Sequence, residues 1–397
     1  MPRVSRFELM SVDLPFRRAF RHAAAARTSS ESLFVKCVTD TGAVGFGECL
    51  PRAYVTGETR DDAFVLLWRA ILPELIGMEF SSLADVQQFL AGSDGRAPHL
   101  AAWCAVDLAL LDAFGRAFQV PVRLGETVGV CPRYSAVVSA DGGWGTLIKL
   151  RLFGFDQVKL KVGQGDVPAS GRLARRLLGH DCELRVDANM AWDAPGALQN
   201  IRALQGVGIH CVEQPVPAND WEGLAMLVRE TNAEIIADES FSDRASLTRL
   251  IERRACTGVN VRISKCGGLI AAARRCAEAS RAGLTVQIGC QVGESSLLSA
   301  AQLILISAVR EARYLEGCYG KHLLRIDPVH PCLQLGYGGR APRLPEAAGL
   351  GVEVDENELN RWVQKRVLIT KEEEGGNDVA GGQSDDVADR AVDGQRV

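Results

Sequence analysis

The amino-acid sequence points to an α/β protein: a TIM-type (β/α)8 barrel with an α+β module in front of it. Eight short β-rich runs at a nearly even step, helical patterning between them, and a strand-then-helix order over residues 1–125 carry that expectation. The runs YSAVVS, QVKLKV, ELRVDAN, IHCVEQP, EIIADES, VNVRISK, TVQIGCQ and YLEGC end near Ser139, Val162, Asn189, Gln214, Glu239, Ser264, Cys290 and Cys318, at steps of 23 to 28 residues. Such regularity marks repeated βα units. Helical patterning fills the gaps, as in Gly171–Leu178, Ala194–Leu204, Trp221–Glu230 and Ala245–Arg254. Strand and helix alternating eight times close into a parallel barrel, whereas a doubly wound sheet would want a glycine fingerprint after its first strand. Gly42, Gly45 and Gly47 do not supply one; they fall in GAVGFGE, within a strand pair, and read as hairpin glycines.

In the first module SRFELMSVDL, SLFVKCVTD and AVGFGEC read as three antiparallel strands, with Asp40, Thr41 and Gly42 turning the chain between the last two. Helices are expected over Asp61–Ile76 and His99–Phe118. Residues 345–368 carry the apolar string Val352, Val354, Leu359, Trp362 and Val363, which is expected to return to this module. The expected division is 1–125, completed by 345–368, for the module and 126–344 for the barrel. Residues 371–397 hold eight acidic and three basic residues and no aromatic, too little apolar surface to offset chain entropy, so they read as a disordered acidic tail.

Composition narrows the function classes. A net charge of −4 leaves no footprint for nucleic acid or anionic lipid. The 12 cysteines include no CxxC pair and mostly sit in apolar runs, as expected of buried thiols in a reducing cytoplasm rather than of disulfides or zinc. The N-terminus has no continuous apolar stretch, and Leu297–Val309 is short and broken by Ser299, Gln302 and Ser307, so neither secretion nor a membrane span is expected. A small molecule is the expected partner; a homo-oligomer stays open.

In a barrel the strand C-termini converge on one face. Strand two ends in Lys159 and Lys161, which share a face because strand periodicity is two. Strands three, four and five end in Asp187, Glu213 and Asp238, and strand six in Lys265. One carboxylate at a strand end is ordinarily a helix cap; three on consecutive strands, matching the barrel step, suit a cation between them. Oxygen-only donors favour Mg2+, with Mn2+ the near competitor. Two neighbouring ammonium groups lower each other's pKa toward that of a useful base. Strand six lies opposite strand two, so Lys265 is expected to face Lys161 across the substrate. The reaction class these parts suit is proton abstraction α to a carboxylate, giving an enediolate.

These residues resemble the enolase superfamily in its muconate-lactonizing subgroup. The resemblance rests on VKLKVG, RVDAN, VEQP, ADES, VRISKCGG and GCQVGES, and extends to VGFGECLPRAYVTGET and AVDLALLDAFGRAFQVPV in the first module. It implies a modified barrel under an α+β capping domain. It also implies that Lys161 and Lys265 are the acid/base pair, Lys159 a carboxylate-binding neighbour, and Asp187, Glu213 and Asp238 the Mg2+ ligands. Asn189, Glu239 and Glu294 would support the pocket. Specificity would come from strand eight, where Glu316 stands in LEGCYG, and from two capping loops, Phe16–Ser30 with Arg21 and His22, and Pro51–Glu58 with Tyr54. His210 opens strand four and reads as packing.

A racemase or epimerase follows from a lysine on each face. A cycloisomerase or syn-elimination enzyme would need only one. A catalytically inactive binding barrel is the third reading.

Overall fold

The structure is a computed structural model that describes residues 1–22, 25–92, 99–125, 132–139, 143–309, 312–343 and 346–371, with side chains 20–26 left aside. The tail beyond Lys371, read above as disordered, lies outside the described residues.

Eight parallel strands form one continuous ladder in chain order: Ala136–Ser139, Gln157–Lys161, Glu183–Asp187, Cys211–Glu213, Glu234–Ala237, Gly258–Val261, Thr285–Ile288 and Ala312–Leu315. Across the seam, Ser135 N–H donates to Leu315 O at 2.7 Å. Helices such as Val167–Leu178, Ala194–Gln205 and Trp221–Glu230 follow the strands. Asp166, Asp193 and Asp220 cap them, each accepting a backbone N–H three residues on. The first strand ends at Ser139 as expected, and the other seven end one to three residues before the points expected from sequence. That offset is harmless at strands two to four and decisive at strand six. There VRISK does not stay extended: Val261 ends the strand, and Ile263–Cys266 makes a helical turn stopped by Gly267 in the left-handed region.

The N-terminal module carries a four-stranded antiparallel sheet in the order Val363–Thr370, Val4–Val12, Ser32–Thr39, Val44–Cys49. The helix Leu100–Ala117 lies on this sheet and is buried from Ala101 to Gly115. Gly45 and Gly47 owe their identity to that contact rather than to a turn. A Cβ on either would run into the helix backbone at Ala113 or Ala105. The helix expected over Asp61–Ile76 is broken into Arg60–Leu66, a π-type turn Leu67–Ile71 and Leu72–Leu75. Pro73 lacks the N–H that a regular helix would use there. Pro15–His22 pairs antiparallel with Ala25–Ser29.

The helix Leu100–Ala117 also locks module to barrel. Asp107 accepts N–H donors from Leu269 (2.8 Å) and Ile270 (3.4 Å), at the start of the barrel helix Leu269–Arg281. Glu48, at the edge of the sheet, accepts from Ser295 Oγ (2.6 Å) and Ser295 N (3.2 Å) at the start of Ser296–Ala308. The orphan N–H groups of two barrel helices are thus satisfied by acids of the module.

Candidate active site

Parallel register aligns Ser139, Lys161, Asp187 and Glu213 in one row across strands one to four. Lys159 and Arg185 are neighbours in the register two residues below Lys161 and Asp187. Asp238, Arg262 and Glu316 are each the first residue beyond strands five, six and eight. All these ends open on one face, as barrel geometry requires.

Beneath the mouth the polar groups form a dense network. Lys159 Nζ lies 2.9 Å from Glu213 Oε2, 2.7 Å from Glu316 Oε2 and 3.3 Å from Asp187 Oδ2. Glu213 also accepts from Asn260 Nδ2 (2.7 Å) and Gln287 Nε2 (3.0 Å). Arg185 pairs with Glu316, donates to Ser135 Oγ at 2.9 Å and lies over the Tyr314 ring. Burial disfavours the charge on Lys159, but Glu213, Glu316 and Asp187 outweigh it and its pKa is raised. The expectation that the lysine pair lowers it is corrected: three carboxylates act on this ammonium more strongly than one neighbouring cation.

Lys161 is placed differently. Its Nζ donates to Asp187 Oδ2 (2.9 Å) and Asn189 Oδ1 (2.8 Å), and the side chain reaches a cavity of about 220 Å3. Asn189 sits in the left-handed region at φ 42°, which turns its amide toward Lys161 and Glu239. Against burial, Lys161 and Lys159 hold the Asp187 carboxyl well below its usual range.

On the sixth strand the structure departs from the sequence reading. Lys265 is fully buried on the helical turn, where Nζ donates to Asp238 Oδ1 (2.8 Å), Asp238 O (2.7 Å) and Asn260 O (2.7 Å). It does not line the cavity. Arg262 does, pairing with Asp238 and donating to Gln291 Oε1 at 3.1 Å. The group beyond strand six that meets the same cavity as Lys161 is therefore a guanidinium, because the strand stops at Val261.

Asp187, Glu213 and Asp238 are all fully buried. They are close enough that Asp187 and Asp238 both push the Glu213 pKa up, after burial and against Lys159. Among the described residues no three ligating side chains stand ready around one point. Their oxygens are engaged by Lys159, Lys161, Arg262 and Lys265. Among the described residues one buried carboxylate oxygen has no partner, Glu239 Oε2, on a residue that borders the cavity. Burial, then Asp238 and Asp187, push the Glu239 carboxyl up to about 8. An all-oxygen donor set with an orphaned carboxylate oxygen beside it fits a hard dication.

Of the other candidates, Tyr54 and Glu316 line the cavity and Glu294 does not. Glu294 Oε1 accepts Gln291 N–H at 2.6 Å and so holds the strand-seven loop. The side chains of Arg21 and His22 lie outside the described residues. Sequence reasoning passed over Arg185, Asn260, Arg262 and Gln287. Arg185 had a signal, since it stands two residues before Asp187 as Lys159 stands before Lys161.

Two family models match the chain: "Mandelate racemase / muconate lactonizing enzyme, N-terminal domain" over residues 6–124 and "Enolase C-terminal domain-like" over residues 147–358. The hydrophobic dipeptide epimerase of Enterococcus faecalis is 30% identical, over 88% of this chain and 99% of that protein. A dipeptide epimerase structure from the same organism, complexed with Mg and L-Leu-L-Tyr, superimposes with a TM-score of 0.77 at 25% identity, covering 88% of this chain and 99% of that one. The N-succinyl Arg/Lys racemase from Bacillus cereus superimposes at 0.84 with 26% identity, covering 92% of this chain and 100% of that one. For the muconate lactonizing enzyme from Pseudomonas fluorescens, complexed with muconolactone, the values are 0.83 and 26%, covering 91% and 99%.

Proposed function

The chain belongs to the mandelate racemase/muconate lactonizing enzyme family of the enolase superfamily, and from that premise we propose a Mg2+-dependent isomerase that removes the proton α to a carboxylate. One observation carries the reading. The Lys161 amine lines the cavity at the end of strand two, beside carboxylates at the ends of three consecutive strands.

In this reading Asp187, Glu213 and Asp238 hold the dication, with Glu239 behind them. When bound, the ion stabilises negative charge that develops on the substrate carboxylate. Lys161 takes the α-proton. Asn189 aims the Lys161 amine through its 2.8 Å hydrogen bond, and Lys159 adds a fixed positive charge beneath the developing enediolate. Lys265 acts by holding Asp238 in place. The substrate is a small carboxylate, and the free thiols of the eleven described cysteines support action in the cytoplasm.

Racemisation or epimerisation is the reading that the epimerase and racemase relatives support. Arg262 favours the second, a cycloisomerase or syn-elimination using one face only, because a guanidinium does not give up its proton near neutral pH. Incubating candidate acids with enzyme and Mg2+ in deuterium oxide tests both. Magnesium-dependent loss of the α-proton signal in NMR, abolished by EDTA, is expected. Scrambled configuration marks the first reading; retained configuration with a ring-closed or dehydrated product marks the second. If no acid exchanges under Mg2+ saturation, the proposed reaction is wrong.

A further inference from the structure

A second hollow adjoins the cavity that holds the reacting groups. Val137, Tyr319 and His322 border both it and a second hollow of about 260 Å3, whose wall adds Phe153, Phe155 and Leu335. That wall is largely apolar and aromatic, with Phe153 and Phe155 stacked at 5.3 Å between ring centres. The two spaces share three side chains and so lie next to each other.

Two donors that line the first cavity lack an acceptor. Gln291 is 2% exposed, and its amide orientation follows from its partner: Oε1 accepts from Arg262 Nη1 at 3.1 Å, which leaves Nε2 as the free end. Gln291 Nε2 and Tyr319 Oη are both buried without a partner. An amide NH2 only donates, and a phenol donates readily, so ligand oxygens satisfy both.

Glu316 is the acid on this side of the cavity, and it is already used. One oxygen pairs with Arg185 and the other lies 2.7 Å from Lys159 Nζ. A ligand ammonium would have to separate a buried carboxylate from its partners, which is strongly unfavourable. Glu239 borders the cavity from beyond strand five, where Asp238, Asp187 and Glu213 act on it.

We infer that the acid bound here carries no free ammonium toward strand eight; it presents an oxygen acceptor, an amide carbonyl or a second carboxylate, to Gln291 and Tyr319, with an apolar group lodged beyond them. This rests on the proposed reaction only in taking the cavity at the barrel mouth as the substrate site.

Glycyl-L-phenylalanine and N-acetyl-L-phenylalanine differ only by an ammonium, and benzylsuccinate offers a carboxylate as the acceptor. Binding of each to the full-length protein with Mg2+ is measured by calorimetry, and α-proton exchange in deuterium oxide is followed in parallel. The acetyl compound should bind at least about tenfold more tightly than the glycyl one, equivalent to about 1.4 kcal/mol. N-acetyl-L-alanine should bind more weakly than N-acetyl-L-phenylalanine. Benzylsuccinate outdoing the acetyl compound would identify the acceptor as a carboxylate; the reverse order would identify an amide. Gln291→Leu should weaken binding of the acetyl compound by about tenfold, because it removes a donor to the shared amide carbonyl. Equal or tighter binding of the glycyl compound, indifference to Gln291→Leu, or no binding by any probe overturns the inference. The predicted binding order without exchange leaves the inference standing and removes the proposed reaction instead.

Discussion

Two sets of buried carboxylates among the described residues are treated in opposite ways. At the contact between module and barrel, Glu48 and Asp107 face backbone N–H groups and serine hydroxyls. Burial dominates there, raising Glu48 to about 8 and Asp107 to about 7. At the barrel mouth, Asp187, Asp238 and Glu316 face lysine and arginine. Those cations overcome burial and hold the carboxyls below their usual range. Neutral donors make an acid into a structural clasp, whereas cations keep an acid ionised and fit to exchange one positive partner for another. The first set ties elements together; the second is suited to holding a dication and a substrate.

The largest break in that contrast should come from Asp238→Asn. It should remove the heat of Mg2+ binding in calorimetry and lower turnover by about 10^3-fold, and it should also cost about 3 kcal/mol of stability, because Lys265 and Arg262 lose their shared carboxylate. Next comes pH. Folding raises the Glu48 pKa from its ordinary 4.5 to about 8, so the native state binds the extra proton. The stability associated with Glu48 is complete below pH 4.5 and falls away as pH rises to about 8, by on the order of 4 kcal/mol. Denaturant titrations of Glu48→Gln should lack that slope, and an equal slope in the variant would assign it elsewhere. Lys265→Met should then cost about 3 kcal/mol of stability, because it takes one of the two cations from a buried Asp238. The smallest effect is Asp107→Ala, which strands two N–H groups of the helix Leu269–Arg281 and should cost about 1–3 kcal/mol with little change in KM.

The barrel was legible in the sequence because its strand step is nearly constant and strand ends carry charge. The lysines of strand two and the acids of strands three to five were legible because each lies within two residues of a strand end, where a small error in the boundary changes nothing. Strand six shows why the rest was not. Arg262, Ile263, Ser264 and Lys265 continue the alternation of VNV, and a short run of that kind does not distinguish an extended strand from a helical turn. The turn at Ile263–Cys266 carries Lys265 into the wall and leaves Arg262 facing the cavity. Arg185, Asn260 and Gln287 were illegible for a different reason. Their significance lies in partners 47 to 131 residues away, at Glu213 and Glu316, which no local pattern encodes.

The account depends most on Lys161 as the group that removes the proton. An acid found to exchange with wild-type enzyme should be followed by NMR in deuterium oxide with Lys161→Ala, at Mg2+ and ligand concentrations shown by calorimetry to saturate both proteins. The account predicts that Lys161→Ala binds the acid but exchanges its α-hydrogen at least about 10^3-fold more slowly. Exchange by that variant at the wild-type rate would contradict it.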